Sequence, residues 1–357
     1  MSPIRFFSAS YGEARKKFLD ACAEAGAVAD TRQNPHANGP LGVPLYTDIA
    51  RLGPEKPRRL LILVSGTHGN EGFCGSAVQA GLLRSGIHAE LPPETAMLMI
   101  HAINPYGFAH VRRVNEDNVD LNRNFVDHGK PHPENPDYDE VHAFICPPDL
   151  MAHKEHYDAQ AYEYLEKHGM SALQAAVTGG QYAHADGLFY GGQKPVWSNR
   201  TFTELVKTHA QGLEAAALID FHTGLGPYGH GEPIGVGPRE VRALAENWFG
   251  DVRYPSDGSS VSAPIRGDLV SAFLEMAGAE HRAGVALEFG TREMLYVLEG
   301  LRADNWLYLH GDPDSEEGRK IKAHIKDALY PEEDPWKEQV WTESLAMVER
   351  VLGRMGV

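Results

Sequence analysis

Four side chains able to do metal and proton chemistry lie at the ends of apolar runs in this sequence. His68 and Glu71 stand at H-x-x-E spacing in VSGTHGNEG, just after the run LLILVS (60–65). His222 ends AAALIDFH (215–222), and Glu288 closes AGVALEFG (283–290). Imidazole nitrogens and carboxylate oxygens are good zinc donors, and a catalytic zinc needs three protein ligands and one open position. His68, Glu71 and His222 make such a His₂Glu set. The H-x-x-E spacing alone reads as readily as a turn histidine beside a solvated glutamate. Likewise, a histidine at a buried strand end is often a satisfied core residue. A carboxylate closing an apolar strand is costly unless paired or functional. Glu288 therefore reads as a base for an activated water and a proton donor to a leaving amine; the alternative is a surface carboxylate. Asp220, two residues before His222, reads at least as readily as a packing carboxylate as a partner for that ring.

Two arginines join this group within INPYGFAHVRRVNEDNVDLNRNF (103–125). Arg123 lies between Asn122 and Asn124. A guanidinium grips a carboxylate through two parallel bonds, and amides add hydrogen bonds. Arg113 can polarise a carbonyl and stabilise the oxyanion formed on attack. Arg112 can take that part instead, and either arginine alone is most often a surface ion-pair partner.

The elements that must position these groups follow from the apolar pattern. The runs 60–65, 96–104, 215–222 and 283–290 are strand-length, and turn chemistry follows each. Runs apolar on both faces predict strands inside a largely parallel sheet. Helical spacing is visible over 11–27, 202–212 and 343–355, with a helix pair around 152–177. This alternation predicts an α/β sandwich with helices on both faces. Ligands of such sheets bind at the carboxyl ends of the strands, where the histidines fall. Residues 126–194, rich in His, Tyr, Pro and Asp, read as an insertion, either covering one end of the sheet or forming a solvated excursion. Residues 311–318 read as an acidic loop and 330–336 as a linker to the last helix.

Composition narrows the function classes. The 33 Lys+Arg against 49 Asp+Glu leave a formal charge of −16, which argues against nucleic acid and anionic membranes as partners. Apolar residues make up 42% and charged ones 23%, an ordinary globular mix. The three cysteines, Cys22, Cys74 and Cys146, form no C-x-x-C pair and suit a reducing compartment. No apolar run suggests a signal peptide or a membrane span. The expectation is a cytoplasmic protein forming one domain over 1–357, of open oligomeric state.

Other chemical groups have plainer readings. His153 and His156 lie at i, i+3 on a predicted helix, and a solvated face explains them better than a second metal. His230 and Glu232 belong to a Gly-rich loop near the site. Cys74 reads as a buried structural thiol. Residues 256–264 form a Ser-rich loop, and GLFYGGQ (187–193) lacks the ending of a phosphate loop.

Taken in order, H-x-x-E, N-P-x-G-F, V-D-L-N-R-N, D-F-H-T and E-F-G resemble the motifs of the zinc carboxypeptidase family of metallopeptidases, closest to a bacterial branch. They run from Thr67 to Thr291, about two thirds of the chain. The resemblance implies a zinc ion on His68, Glu71 and His222, a general base at Glu288, and an oxyanion arginine at Arg113. It implies substrate-carboxylate binding by Asn122 and Arg123. The implied fold is a three-layer α/β/α sandwich around a mixed, mostly eight-stranded twisted sheet. GTHGNEG and DLNRNF also look like the aspartoacylase and succinylglutamate desuccinylase group. The family's mobile tyrosine has no clear match; Tyr254 is a candidate by position only. The expectation is a zinc hydrolase cleaving an amide bond beside a free carboxylate, on a small peptide. An N-acyl amino acid deacylase is the alternative, and a non-catalytic zinc-binding module a third reading.

Overall fold

The computed structural model describes residues 2–355. The strands are β1 (Val28–Asn38), β2 (Pro44–Leu52), β3 (Arg59–Val64), β4 (Thr95–His101), β5 (Gln211–Tyr228), β6 (Gly231–Gly235) and β7 (Gly278–Gly290). They form one seven-stranded sheet in the order β1-β2-β4-β3-β5-β7-β6. The four apolar runs are its centre, β4, β3, β5 and β7, joined by parallel pairings. Strands β1, β2 and β6 add on antiparallel, so the sheet is mixed, with seven strands where eight were expected.

Strands β1, β2 and β6 are absent from the sequence reading, and in β1 and β6 the apolar periodicity fails. VADTRQNPHAN in β1 is exposed along most of its length. GEPIG in β6 is short and holds a proline. Both lie at sheet edges, where polar residues and proline are tolerated.

Helices cover both faces. On one side α1 (Tyr11–Ala25), α2 (Gly72–Ser85), α8 (Arg239–Phe249) and α12 (Asp334–Arg354) bury Phe18, Phe73, Trp248 and Trp336 in the larger core. On the other, α7 (Trp197–His209) and α9 (Leu269–Met276) bury Phe202 and Phe273. The short α3 (Pro105–Ala109) follows β4.

The insertion is not a solvated excursion. Its helices α4 (Pro136–Ile145), α5 (Lys154–His168) and α6 (Met170–Thr178) share a core of their own with α10 (Met294–His310) and α11 (Glu316–Leu329). Tyr138, Leu173, Val177, Val297 and Ile325 meet there. Nor is 330–336 a linker: Tyr330 and Trp336 are fully buried, and the Trp336 indole donates to the Gly290 carbonyl at 2.9 Å. The last helix begins at Asp334, with Pro335 in its first turn, where a missing N–H costs nothing. The acidic 311–318 segment runs into α11, capped by the Ser315 hydroxyl.

Candidate metal centre

The turn after β3 builds the first part of the site. Gly69 donates to the Arg113 carbonyl at 3.0 Å and Asn70 to that of Arg112 at 2.9 Å. This contact needs glycine: a Cβ on Gly69 would lie 2.0 Å from the Gly107 carbonyl carbon. N-P-x-G-F is the other half of the contact. Asn104 caps α3 by accepting from Gly107 N, and Pro105 starts the helix. The paired turns hold Arg113 beside His68 and Glu71.

Strand register supplies the rest. Val64 pairs with Asp220, and His222 pairs with Glu288. His68 Nδ1 lies 2.9 Å from Glu71 Oε1. His222 Nδ1 lies 3.1 Å from His68 Nδ1 and 3.0 Å from Glu71 Oε2. All three residues are buried.

The outer ring nitrogens are held by carboxylates. His222 Nε2 lies 2.7 Å from Asp220 Oδ2, and Asp220 Oδ1 accepts from the Thr67 hydroxyl at 2.8 Å. Asp220 therefore does reach the ring, because residues two apart on a strand share a face. His68 Nε2 lies 3.2 Å from Asp120 Oδ1, and Asp120 Oδ2 accepts from Arg113 Nε at 3.1 Å. Asp120 was missed as a functional residue, although it stands inside the V-D-L-N-R-N motif.

The Nε2–H tautomers leave both Nδ1 lone pairs facing each other and a carboxylate. A cation removes that repulsion, and the donor set fits zinc. Arg113 Nη2, 2.8 Å from His68 Nε2, instead favours the other tautomer; only the Asp120-bound form leaves Nδ1 free for a metal.

Charge at the centre follows the same contacts. Burial acts to raise the Glu71 pKa, but His68 and His222 outweigh it and hold the carboxyl well below its ordinary range. For His222, burial acts to lower the pKa, yet Asp220 and Glu71 raise it well above the ordinary imidazole value. Burial would raise Asp120, but Arg113, His68 and Arg123 keep it ionised. Glu288, half-buried, is pushed up to about 7 by desolvation and by the Glu71 charge. Its Oε1 accepts from Leu225 N at 2.9 Å.

All seven residues singled out from the sequence lie at one place. Six line a single cleft of about 1180 Å³ open to solvent, and Glu71 lies beneath it. Arg113 also donates to Glu71 Oε1 at 3.1 Å. Arg123 donates to the Thr178 and Asn122 carbonyls, and Asn122 Oδ1 accepts from Leu269 N at 2.9 Å.

Arg112 lies elsewhere, which decides between the two arginines by geometry. It is buried, bonds Asp304 at 3.0 Å and Asn118 at 3.0 Å, and covers the Tyr308 ring. Breaking a buried pair by removing one partner is strongly destabilising. Arg112→Ala should cost about 3 kcal/mol of stability in denaturant titration and leave metal content unchanged.

Phe189 is a second residue the sequence reading missed. It sits below Arg113 and Arg123, 4.8 and 5.5 Å from their guanidinium carbons. Its φ of +53° is unusual for a bulky residue. Tyr254, by contrast, is buried under Arg242 and does not line the cleft. The His153 side chain is largely exposed, and Cys74 is fully buried.

A family model described as "Protein of unknown function (DUF2817)" matches residues 7–343. The chain belongs to that family. Comparison with curated proteins gives no significant match. Among solved structures, thrombin activatable fibrinolysis inhibitor is similar at 11% identity and TM-score 0.53, over 98% of this chain and 74% of that one. Carboxypeptidase A from Helicoverpa armigera is similar at 13% identity and TM-score 0.46, over 92% and 75%. Succinylglutamate desuccinylase from Chromobacterium violaceum is similar at 14% and 0.38, over 87% and 76%. This DUF2817 chain shares the α/β fold of thrombin activatable fibrinolysis inhibitor, with a mixed sheet between helices as its motifs led one to expect. No described helix is long and apolar enough to cross a membrane.

Proposed function

We propose that this chain is a zinc-dependent hydrolase of an amide bond next to a free carboxylate. The observation that supports it most is the convergence of His68, Glu71 and His222 opposite Glu288, in the same cleft as Arg123. His68 and His222 through Nδ1, with the Glu71 carboxylate, would hold the ion. Zinc there would act as a Lewis acid toward the scissile carbonyl and lower the pKa of a bound water.

The chain's own groups do the rest. Glu288 takes the proton of the attacking water and passes it to the departing amine. Arg113 offers its guanidinium to the oxyanion. Asn122 and Arg123 hold the substrate carboxylate. Asp220 and Asp120 fix the rings of His222 and His68. Asp268 also reaches the cleft, but both its oxygens are engaged by Ser271. It is a helix cap rather than a seat for a basic side chain.

Helix α6 and Phe189 wall the cleft, which favours a short substrate, a dipeptide or an N-acyl amino acid. The three cysteines are free thiols, which suits a cytoplasmic setting. The test is elemental analysis of the purified protein with a panel of dipeptides and N-acyl amino acids. Bound zinc with turnover of either class supports the proposal; zinc without hydrolysis across the panel favours the non-catalytic reading. Asp220→Asn keeps shape and loses charge, so zinc affinity should fall about 10- to 100-fold. Unchanged affinity in competition with a chelator would make Asp220 a packing residue.

A further inference from the structure

We infer that the group on the acyl side of the scissile amide is apolar: an aliphatic acyl chain or an apolar amino-acid residue, not a dicarboxylic acyl group. This rests on the hydrolase reading and narrows its substrate.

The two ends of the cleft can be told apart. Asn122 and Arg123 lie at the start of α9: Asn122 accepts from Leu269 N, and Phe125 donates to Gly267 O. The carboxylate end of the substrate therefore lies toward α9. Helix α10 begins on the other side, just past Glu288. Thr291 ties that side to β5 through Gly224 O, and Thr223 ties β5 to Leu329. With the amide over the histidines, the acyl group extends toward α10.

That side is apolar. Met294, Leu295, Leu298 and Leu301 of α10 face the cleft there. Leu295 is 42% exposed, so an apolar group laid against it removes apolar surface from water. Charge points the same way. Arg113 and Arg123 are the only Lys or Arg residues lining the cleft among those described. Arg123 is the clamp for the substrate's own carboxylate, and Arg113, held beside His68 by Glu71 and Asp120, serves the oxyanion. A second carboxylate on the acyl side meets leucine and methionine, where a desolvated charge without a partner is costly.

The experiment compares N-octanoyl-leucine, N-acetyl-phenylalanyl-leucine, N-acetyl-leucine and N-succinyl-leucine with the zinc-loaded protein. Burying a methylene is worth roughly a fourfold gain, so kcat/KM for N-octanoyl-leucine should exceed that for N-acetyl-leucine by about 100-fold or more. N-succinyl-leucine should be the poorest substrate. The octanoyl and phenylalanyl arms distinguish a fatty acyl from a peptide source. Leu295→Lys, at an exposed position, should lower the octanoyl-to-acetyl ratio of kcat/KM about tenfold, and an unchanged ratio overturns the inference.

Turnover with succinyl equal to or better than octanoyl overturns the inference and leaves the hydrolase standing. So does an octanoyl rate no higher than the acetyl rate. Calorimetry on zinc-loaded Glu288→Gln covers the other failure. If that protein binds N-octanoyl-leucine at least about tenfold tighter than N-succinyl-leucine while the wild type hydrolyses nothing, the apolar site stands and the hydrolase reading falls. Equal binding of the two sinks the inference as well.

Discussion

Glu288→Gln should lower hydrolysis by about a thousandfold, within the span typical of a general base, and leave zinc content unchanged. Glutamine has the same shape and can still accept from Leu225 N, so the floor of the cleft is preserved. What it loses is the ability to take a proton at this pH. The pH profile gives a second readout. Burial and the Glu71 charge push the Glu288 carboxyl up to about 7 in the metal-free site. A base must be ionised, so activity falls as pH drops through the Glu288 pKa. A dication nearby stabilises the carboxylate and moves that pKa down, which places the acid limb of kcat/KM at or below about 7. Any residual activity of Glu288→Gln should lack that limb. A variant with more than a tenth of wild-type turnover, or with the same limb, removes Glu288 from its assigned role.

His68→Ala should have the other large effect, on the metal. Loss of a residue that merely orients a ligand costs 10- to 100-fold in affinity; loss of a donor should exceed about 100-fold. The purified variant should therefore be close to zinc-free. Zinc at about 100 times its dissociation constant stabilises the native state by about 2.7 kcal/mol. Chelation should consequently lower the melting temperature of the wild type and leave that of His68→Ala unchanged. The pH dependence has a definite sign. In the metal-free site burial lowers the pKa of His222, but Asp220 and Glu71 raise it above the ordinary imidazole value. The metal competes with protons for that ring, so affinity tightens as pH rises. A zinc-replete His68→Ala protein would remove this residue from the donor set.

The central strands and the site were legible in the sequence for the same reason. Strands β3, β4, β5 and β7 are buried on both faces, so they appear as unbroken apolar runs. A polar residue at the end of such a run stands out, and His222 and Glu288 do. Edge strands β1 and β6 carry no such signal, and their places come from hydrogen bonding to β2 and β7. Asp220 follows from strand alternation: residues two apart share a face, so its carboxylate stands beside the His222 ring.

The sequence by itself determined the types of the candidate donors, their order along the chain and their position at strand ends, since these depend on local composition and periodicity. Only the tertiary structure decided that Asp120 orients His68, that Arg113 and not Arg112 enters the cleft, and that Phe189 and α6 enclose it. Those relations join residues far apart in sequence, or neighbours whose side chains point to different places. They are set by how turns pair and helices pack, which no local pattern encodes.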